Sequence, residues 1–210
     1  MKKFLSSILV VFLLLLSSCS NNDFKTYNFK VGAININEVE VIFTSENINA
    51  CSPFLLLDNI SFKKHNIDYL FAGDEIDIFC EEANASAAWS YVVAVHLENI
   101  KRVKIKRAPI INLTVTTYEE NGVEYKKIVA DNKKIVLDKE YTNQDEIIVT
   151  GQSDVKDITC TLDYKYTYVT LKSLEEGTKL AATYYKKDGI TYIYSFYWRN
   201  YVNKVRFLSF

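Results

Sequence analysis

Residues 179–198, which read KLAATYYKKDGITYIYSFYW, decide the class of fold. Apolar and polar residues alternate on both sides of Asp188-Gly189, a dipeptide favoured at the centre of a type I′ turn. A two-residue turn at this point places Tyr185 opposite Tyr192. The pattern predicts an antiparallel hairpin with Ile190, Tyr192, Tyr194, Phe196 and Trp198 on one face, and with Thr191, Ile193, Ser195 and Tyr197 on the other.

A second hairpin is predicted at Asn121-Gly122, where Tyr118 falls opposite Tyr125. Period-two patterns dominate the rest of the chain, so we expect an all-β protein of one or two small antiparallel β-barrel or sandwich modules. Further strands are predicted at residues 26–31, 38–44, 75–81, 90–96, 102–106, 134–137, 146–150, 157–162, 166–171 and 204–208. Short helices are predicted at residues 52–59 and 84–89, from a Pro in a first turn and an Asn cap.

A faint internal repeat suggests how the chain is divided. Leu70-x-x-Gly73-Asp74-x-Ile76 is followed later by Leu174-x-x-Gly177-Thr178-x-Leu180, and each half closes on a basic, alternating segment. Duplication predicts a first β module at residues 25–108, a hairpin connector at 109–140 and a second β module at 141–210. The alternative is a chance likeness between β-rich segments.

The N-terminus has the features of an export signal. Lys2 and Lys3 precede an apolar run that extends to Leu16. That run is shorter than the about 20 apolar residues that span a bilayer, and small residues follow it, which indicates a cleaved signal peptide over residues 1–18. The segment Leu16-Ser17-Ser18-Cys19 resembles the lipobox of bacterial lipoproteins. The resemblance implies that Cys19 receives a diacylglycerol and becomes the mature N-terminus. The alternative is an ordinary signal peptide with an unrelated cysteine.

Formal charge limits the partners. The net charge is −1, and loss of Lys2 and Lys3 with the signal peptide makes the mature part about −3. This balance gives no electrostatic footprint for nucleic acid and predicts no polybasic patch as a second membrane signal. The acyl chains on Cys19 would therefore hold the protein on the membrane alone. Residues 19–24 comprise this cysteine and a very short tether, which keeps the folded part near the membrane surface.

Three cysteines follow Cys19, namely Cys51, Cys80 and Cys160. An odd number argues against a complete disulfide framework. An exported protein can still form a disulfide between Cys51 and Cys80. The alternative is that all three are small buried residues with free thiols.

The motif Leu70-x-x-Gly73-Asp74-x-Ile76-x-Ile78, followed by Ile100-Lys101-x-Val103-Lys104, carries a family resemblance. Residues 70–105 are similar to a domain of small secreted lipoproteins of low-GC Gram-positive bacteria. The resemblance implies an OB-like β-barrel and brings no catalytic residues. The chain departs from the family at Phe79-Cys80-Glu81-Glu82 and at Ser90-Tyr91-Val92-Val93.

Motifs for catalysis and cofactor binding are missing from the sequence. The chain has two histidines, His65 and His96, and lacks the His and Cys spacings of zinc sites, the nucleophile elbow of hydrolases and Gly-rich phosphate loops. We therefore predict no catalytic residue, no metal ligand and no cofactor.

The C-terminal aromatic residues are the candidate binding surface. Tyr, Trp and Arg are the residues that most often dominate binding interfaces, and flat rings stack on sugars and peptides. The candidates are Tyr192, Tyr194, Tyr197, Trp198 and Arg199. The alternative is that these aromatic side chains form core.

Together these features predict a lipid-anchored protein of the cell membrane that faces the extracytoplasmic side. We expect it to bind an envelope glycan, a peptide or another protein. The alternatives are an envelope hydrolase whose site is assembled by the fold, and a structural subunit of a surface complex.

Overall fold

The described part of the chain consists mainly of strands. The computed structural model describes residues 24–32, 40–43, 53–56, 65–67, 69–81, 84–89, 92–96, 99–154 and 166–207. The strands are β1 Lys25–Val31, β2 Glu40–Phe43, β3 Pro53–Leu56, β4 Glu75–Cys80, β5 Asn84–Trp89, β6 Val92–His96, β7 Arg102–Lys106, β8 Ile110–Glu120, β9 Val123–Ala130, β10 Glu146–Thr150, β11 Tyr166–Thr170, β12 Lys179–Lys187 and β13 Ile190–Trp198. Within these ranges there is one α-helix, α1, at Arg199–Phe207, and one 3-10 turn at Leu171–Ser173. The predicted all-β class is confirmed.

The first seven strands form one sheet in the order β5-β6-β3-β2-β1-β4-β7, in which only β3 and β6 run parallel. Residues alternate between the two sides of β4, so that Ile76, Ile78 and Cys80 are buried and Glu75 is exposed. This alternation fixes the register against β1, where Phe29 lies opposite Ile76. Among the described strands β5 and β7 lie at the two ends of this order and are not paired with each other.

The remaining strands form a second sheet in the order β11-β10-β13-β12-β8-β9, in which only β10 and β13 run parallel. Strands β8 and β9 lie inside the predicted connector at residues 109–140. They pair with β12 through β8 and so belong to this sheet. The predicted hairpin of the connector is thus part of this sheet, with β8 hydrogen-bonded to the edge of β12.

Both faces of the second sheet carry packed side chains. One face packs the main core, in which Leu113, Val115, Val149 and Leu180 are fully buried. On the other face α1 lies over β12 and β13, and its residues Tyr201, Val202 and Val205 pack with Phe71, Ala181 and Tyr197. Phe71 precedes β4, so the loop that enters the first sheet also contributes to the core beside the second.

Three predicted local structures are wrong. Residues 204–208 were expected to form a strand, but Arg199–Phe207 is helical, because burying Tyr201, Val202 and Val205 on one side needs the helical period. The expected helix at residues 84–89 is β5, which pairs with β6. The expected helix at 52–59 includes β3, where Pro53 is the first strand residue, a position that tolerates proline.

The strand predicted at residues 134–137 is absent, and the one predicted at 157–162 is not described by the structure. Residues 134–137 are not a strand, and Leu137 makes only an isolated bridge to Thr191. The strand predicted at 157–162, with Cys160, lies outside the described residues.

The predicted repeat holds for one turn and not for the strands that follow. Gly73 and Gly177 both have positive φ, 87° and 79°, and each precedes a strand. However, β4 pairs with β1 and β7, whereas β12 pairs with β8 and β13. The basic segment that closes each half is β7 in one case and α1 in the other.

Candidate functional site

Both predicted hairpins form with the expected turns and registers. Asp188 and Gly189 have φ values of 52° and 82°, which a type I′ turn requires at both central positions. Tyr185 therefore lies opposite Tyr192, and the two rings stack with centroids 5.0 Å apart and planes at 13°. The Asn121-Gly122 hairpin brings Tyr118 and Tyr125 together in the same way, at 5.5 Å.

A β-bulge in β13, after the Tyr185–Tyr192 pair, changes which side chains of this strand share a face. Thr183 pairs with Ser195 and Tyr184 pairs with Ile193, so Tyr194 has no cross-strand partner in the register. The extra residue moves Phe196 to the core face, where its ring meets Tyr141 edge-on at 5.1 Å. The expectation that Tyr194 and Phe196 share a face is therefore wrong.

Tyr194 is held between the two sheets. Its ring lies 5.0 Å from that of Tyr185, and the Lys30 ammonium from β1 sits 4.5 Å above its centroid. On the other side the ring approaches Gly73 so closely that a Cβ there would overlap it. Lys30 also lies 5.9 Å from the Tyr185 ring. Tyr185, Tyr192, Tyr194 and Lys30 thus form one partly exposed cluster, called here the tyrosine surface.

Tyr197 is a structural residue. Its side chain is 1% exposed, and its hydroxyl accepts a hydrogen bond of 2.8 Å from the backbone N–H of Ala72. The ring meets Phe71 edge-on at 4.8 Å. Burial raises the pKa of the Tyr197 phenol above its usual value. Because a ligand could not reach this side chain, its predicted place on a binding surface is wrong.

Trp198 and Arg199 also act within the fold. Trp198 is half-buried and packs against both clusters of core residues. The Arg199 guanidinium donates hydrogen bonds to the carbonyls of Leu180, at 3.0 Å, and Leu113, and pairs with Asp131 at 3.0 Å. Arg199 therefore ties the start of α1 to the second sheet, and each of its three guanidinium nitrogens has a partner within the fold.

Asp74 anchors the loop that carries Gly73. It is completely buried, and its carboxylate accepts hydrogen bonds from the backbone N–H of Phe71 at 3.0 Å and of Ala108 at 2.8 Å. Arg107 pairs with it at 2.8 Å and lies 3.9 Å from the Tyr69 ring. This network fixes the turn against which Tyr194 packs.

A groove of about 940 Å³ lies beside β9. It is lined by apolar and charged side chains of β9 and of the following loop. Its lining includes Ile128, Ala130, Ile135, Leu137, Asp131, Lys133 and Lys139. Burial would raise the pKa of Asp131, but hydrogen bonds from Thr114 and Arg199 and the Arg199 charge hold it below its ordinary value.

Of the three cysteines that follow Cys19, the structure describes Cys80. Cys80 is a free, fully buried thiol, and burial together with the Glu81 charge raises its pKa to about 11. Cys51 lies outside the described residues, and its pairing with Cys80 stays a prediction. Cys19 also lies outside them.

Neither a metal centre nor a bilayer-spanning helix is found in the described part of the chain. No group of three His, Cys, Asp or Glu side chains within it is placed to hold a metal ion. Every helix in these ranges is too short or too polar to cross a membrane. Comparisons with protein-family models, with curated proteins and with solved structures find no match to this chain.

Of the tyrosine surface, the sequence named Tyr192 and Tyr194 as binding candidates, placed Tyr185 opposite Tyr192 without naming it as a site residue, and gave no sign of Lys30. The Asp188-Gly189 turn signalled Tyr185 and Tyr192 directly. No local signal connects Lys30 to residues more than 150 positions away, because that contact depends on how the two sheets meet.

Proposed function

We propose that this protein is a bacterial lipoprotein of the cell membrane, held by a lipid on Cys19 and facing the extracytoplasmic side. We propose further that it binds an envelope glycan, peptide or protein through the tyrosine surface. The observation that carries the binding role is the stacked Tyr185–Tyr192 pair. Tyr185 remains 40% exposed, and the Lys30 ammonium lies 5.9 Å from the centroid of its ring. The proposal includes no catalytic step and no cofactor.

Ring geometry supports ligands with a flat apolar face. Two tyrosine rings held parallel offer a rigid platform that loses little side-chain entropy on binding, and their hydroxyls can bond to a polar rim. The adjacent Lys30 ammonium adds a donor and a positive charge. A sugar ring or peptide that bears a carboxylate or phosphate would match both features.

Paired substitutions in the two hairpins test the binding role. In the full chain purified in detergent, we expect Tyr185→Ala with Tyr192→Ala to weaken binding to immobilised envelope glycans or culture peptides by tenfold or more, since each ring contact contributes about 1 kcal/mol. The matched control is Tyr118→Ala with Tyr125→Ala, which removes an equivalent stacked pair. Equal loss in both variants would show that the tyrosine surface has no special role.

The anchor has its own experiment. Replacing Cys19 by Ala should abolish incorporation of labelled fatty acid and release the mature chain from the membrane fraction. Retention of label in this variant would refute lipidation at Cys19.

A further inference from the structure

Aromatic and basic side chains meet at the end of the first sheet where the described chain begins. The rings of Phe24 and Phe79 lie 5.4 Å apart. Lys101 places its ammonium 5.3 Å from the Phe24 centroid, and Arg102 places its guanidinium 5.6 Å from that of Phe79. Lys25 pairs with Cys80 in the same register. Phe24, Lys25, Phe79, Lys101 and Arg102 are called here the basic end.

The basic end differs from the remainder of strand β7. Lys106 forms an ion pair of 2.9 Å with Glu75, and Lys104 lies opposite Asp77, so acidic residues offset both charges. Lys101 and Arg102 instead lie beside aromatic rings, and both side chains are exposed. The nearby Glu81 carboxylate accepts a hydrogen bond from Asn99. Lys25, Lys101 and Arg102 carry three positive charges against the one negative charge of Glu81, so the described residues at this end have a net charge of about 3 − 1 = +2.

The position of the basic end relative to Cys19 suggests its partner. Cys19 is five residues before Phe24, and five extended residues reach at most about 18 Å. A lipid on Cys19 would thus keep the basic end within that distance of the headgroups. Aromatic rings favour the membrane–water interface, and exposed Lys and Arg are attracted to anionic lipids.

We propose that the basic end docks on the anionic phospholipid surface and fixes the orientation of the domain on the membrane. The inference rests on the proposed lipid anchor at Cys19. It revises the expectation from net charge, because the mature chain is acidic as a whole while the described residues at this end are basic. Lys30 of the tyrosine surface lies near the opposite end of β1 from Lys25. Docking through the basic end would therefore leave the tyrosine surface free for partners.

Lysine footprinting on vesicles tests the docking. The full chain is reconstituted into phosphatidylcholine vesicles, with or without 30% phosphatidylglycerol, and labelled with an amine-reactive acetylating reagent that mass spectrometry locates. We expect Lys25 and Lys101 to be protected only on the anionic vesicles, and the protection to disappear at 1 M salt. The exposed Lys133 and Lys187 serve as internal controls.

Two charge-matched variants sharpen the test. Lys101→Gln with Arg102→Gln should lower the docking equilibrium about 25-fold, since each basic residue near an anionic surface contributes about fivefold, and Lys25 should lose its protection. Lys104→Gln with Lys106→Gln removes the same charge from the middle and the other end of β7 and should leave Lys25 protected. Equal effects of the two variants would overturn the proposal.

The remaining outcomes separate this inference from the anchor. Equal labelling of Lys25 on neutral and anionic vesicles refutes docking. Protection in detergent that rises with protein concentration indicates a second copy at this surface and also refutes it. The mass of the N-terminal peptide reports independently whether Cys19 carries lipid. An unlipidated chain that is still protected on added anionic vesicles would disprove the anchor and support the docking surface.

Discussion

Replacing Asp74 by Ala should be among the most destabilising single changes in the chain. The carboxylate is completely buried and accepts from three donors, the backbone N–H groups of Phe71 and Ala108 and the Arg107 guanidinium. These donors come from the turn before β4 and from the segment between β7 and β8. One side chain therefore joins the end of the first sheet to the start of the second.

The loss of unfolding free energy in Asp74→Ala depends on which hydrogen-bond donors lose their acceptor. Truncation leaves two backbone N–H groups without this partner, each costing about 1–3 kcal/mol when buried. The Arg107 side chain is 37% exposed and can turn to water, so its lost ion pair adds about 1 kcal/mol or less. We expect a decrease of about 4 kcal/mol in the free energy of unfolding. In a chain of this size that corresponds to about 8–16 °C in Tm.

Urea unfolding of the full chain, followed by tryptophan fluorescence, measures the effect. Asp77→Ala is the matched control, because Asp77 lies in β4, which begins directly after Asp74, and its partly exposed carboxylate accepts a hydrogen bond from Asn28. We expect the control to cost less than about 1 kcal/mol. Asp74→Asn should also destabilise, since its amide NH₂ would face a donor. If Asp74→Ala and Asp77→Ala unfold within 1 kcal/mol of each other, the account of this network is wrong.

Three further predictions use the same unfolding assay. Gly73→Ala should cost more than Gly122→Ala, because both glycines have positive φ but only the first meets a ring, that of Tyr194; equal costs would contradict this contact. Stability should fall as the pH rises from 10 towards 12, since burial raises the pKa of Tyr141 to about 12 and the unfolded chain ionises first. Tyr141→Phe should flatten this alkaline decline. A backbone hydrogen bond and Lys139 lower the pKa of Asp145, so its contribution is lost as the pH falls below about 4, and Asp145→Asn should reduce that acid dependence.

The hairpins could be predicted because their signal is local. A type I′ turn needs positive φ at two successive residues, and Asn-Gly and Asp-Gly meet that need without help from distant contacts. Once the turn is fixed, the two-residue loop sets the register, and the Tyr118–Tyr125 and Tyr185–Tyr192 pairs follow.

The bulge at Tyr194 could not be predicted from alternation alone. Ile193 and Phe196 both pack on the main core although they are three positions apart, and a period of two cannot place both on one face. One extra residue in β13 resolves the conflict. Its position depends on the core on one face and on the close approach of Gly73 on the other, and both are contacts between distant parts of the chain.

Helix α1 shows the same dependence on tertiary packing. Its segment has apolar residues at spacings that suit either a strand or a helix, and the sequence offers no glycine or proline to decide between them. Strand β13 is flanked by β10 and β12, so a further strand would find no free edge beside it. A helix instead buries Tyr201 and Val205 across the sheet face.

The predicted membrane contact depends on where charged side chains lie in the fold more than on how many the chain contains. Lys106 and Lys139 form ion pairs with Glu75 and Asp145, so these charges largely cancel at their own positions. Lys101 contacts an aromatic ring, which attracts the cation but carries no net charge. Two chains with the same net charge can therefore present opposite potentials to a membrane, according to which cations have acidic neighbours. The sum over the chain excludes a uniformly basic surface, and it leaves the potential at any one end of a sheet undetermined.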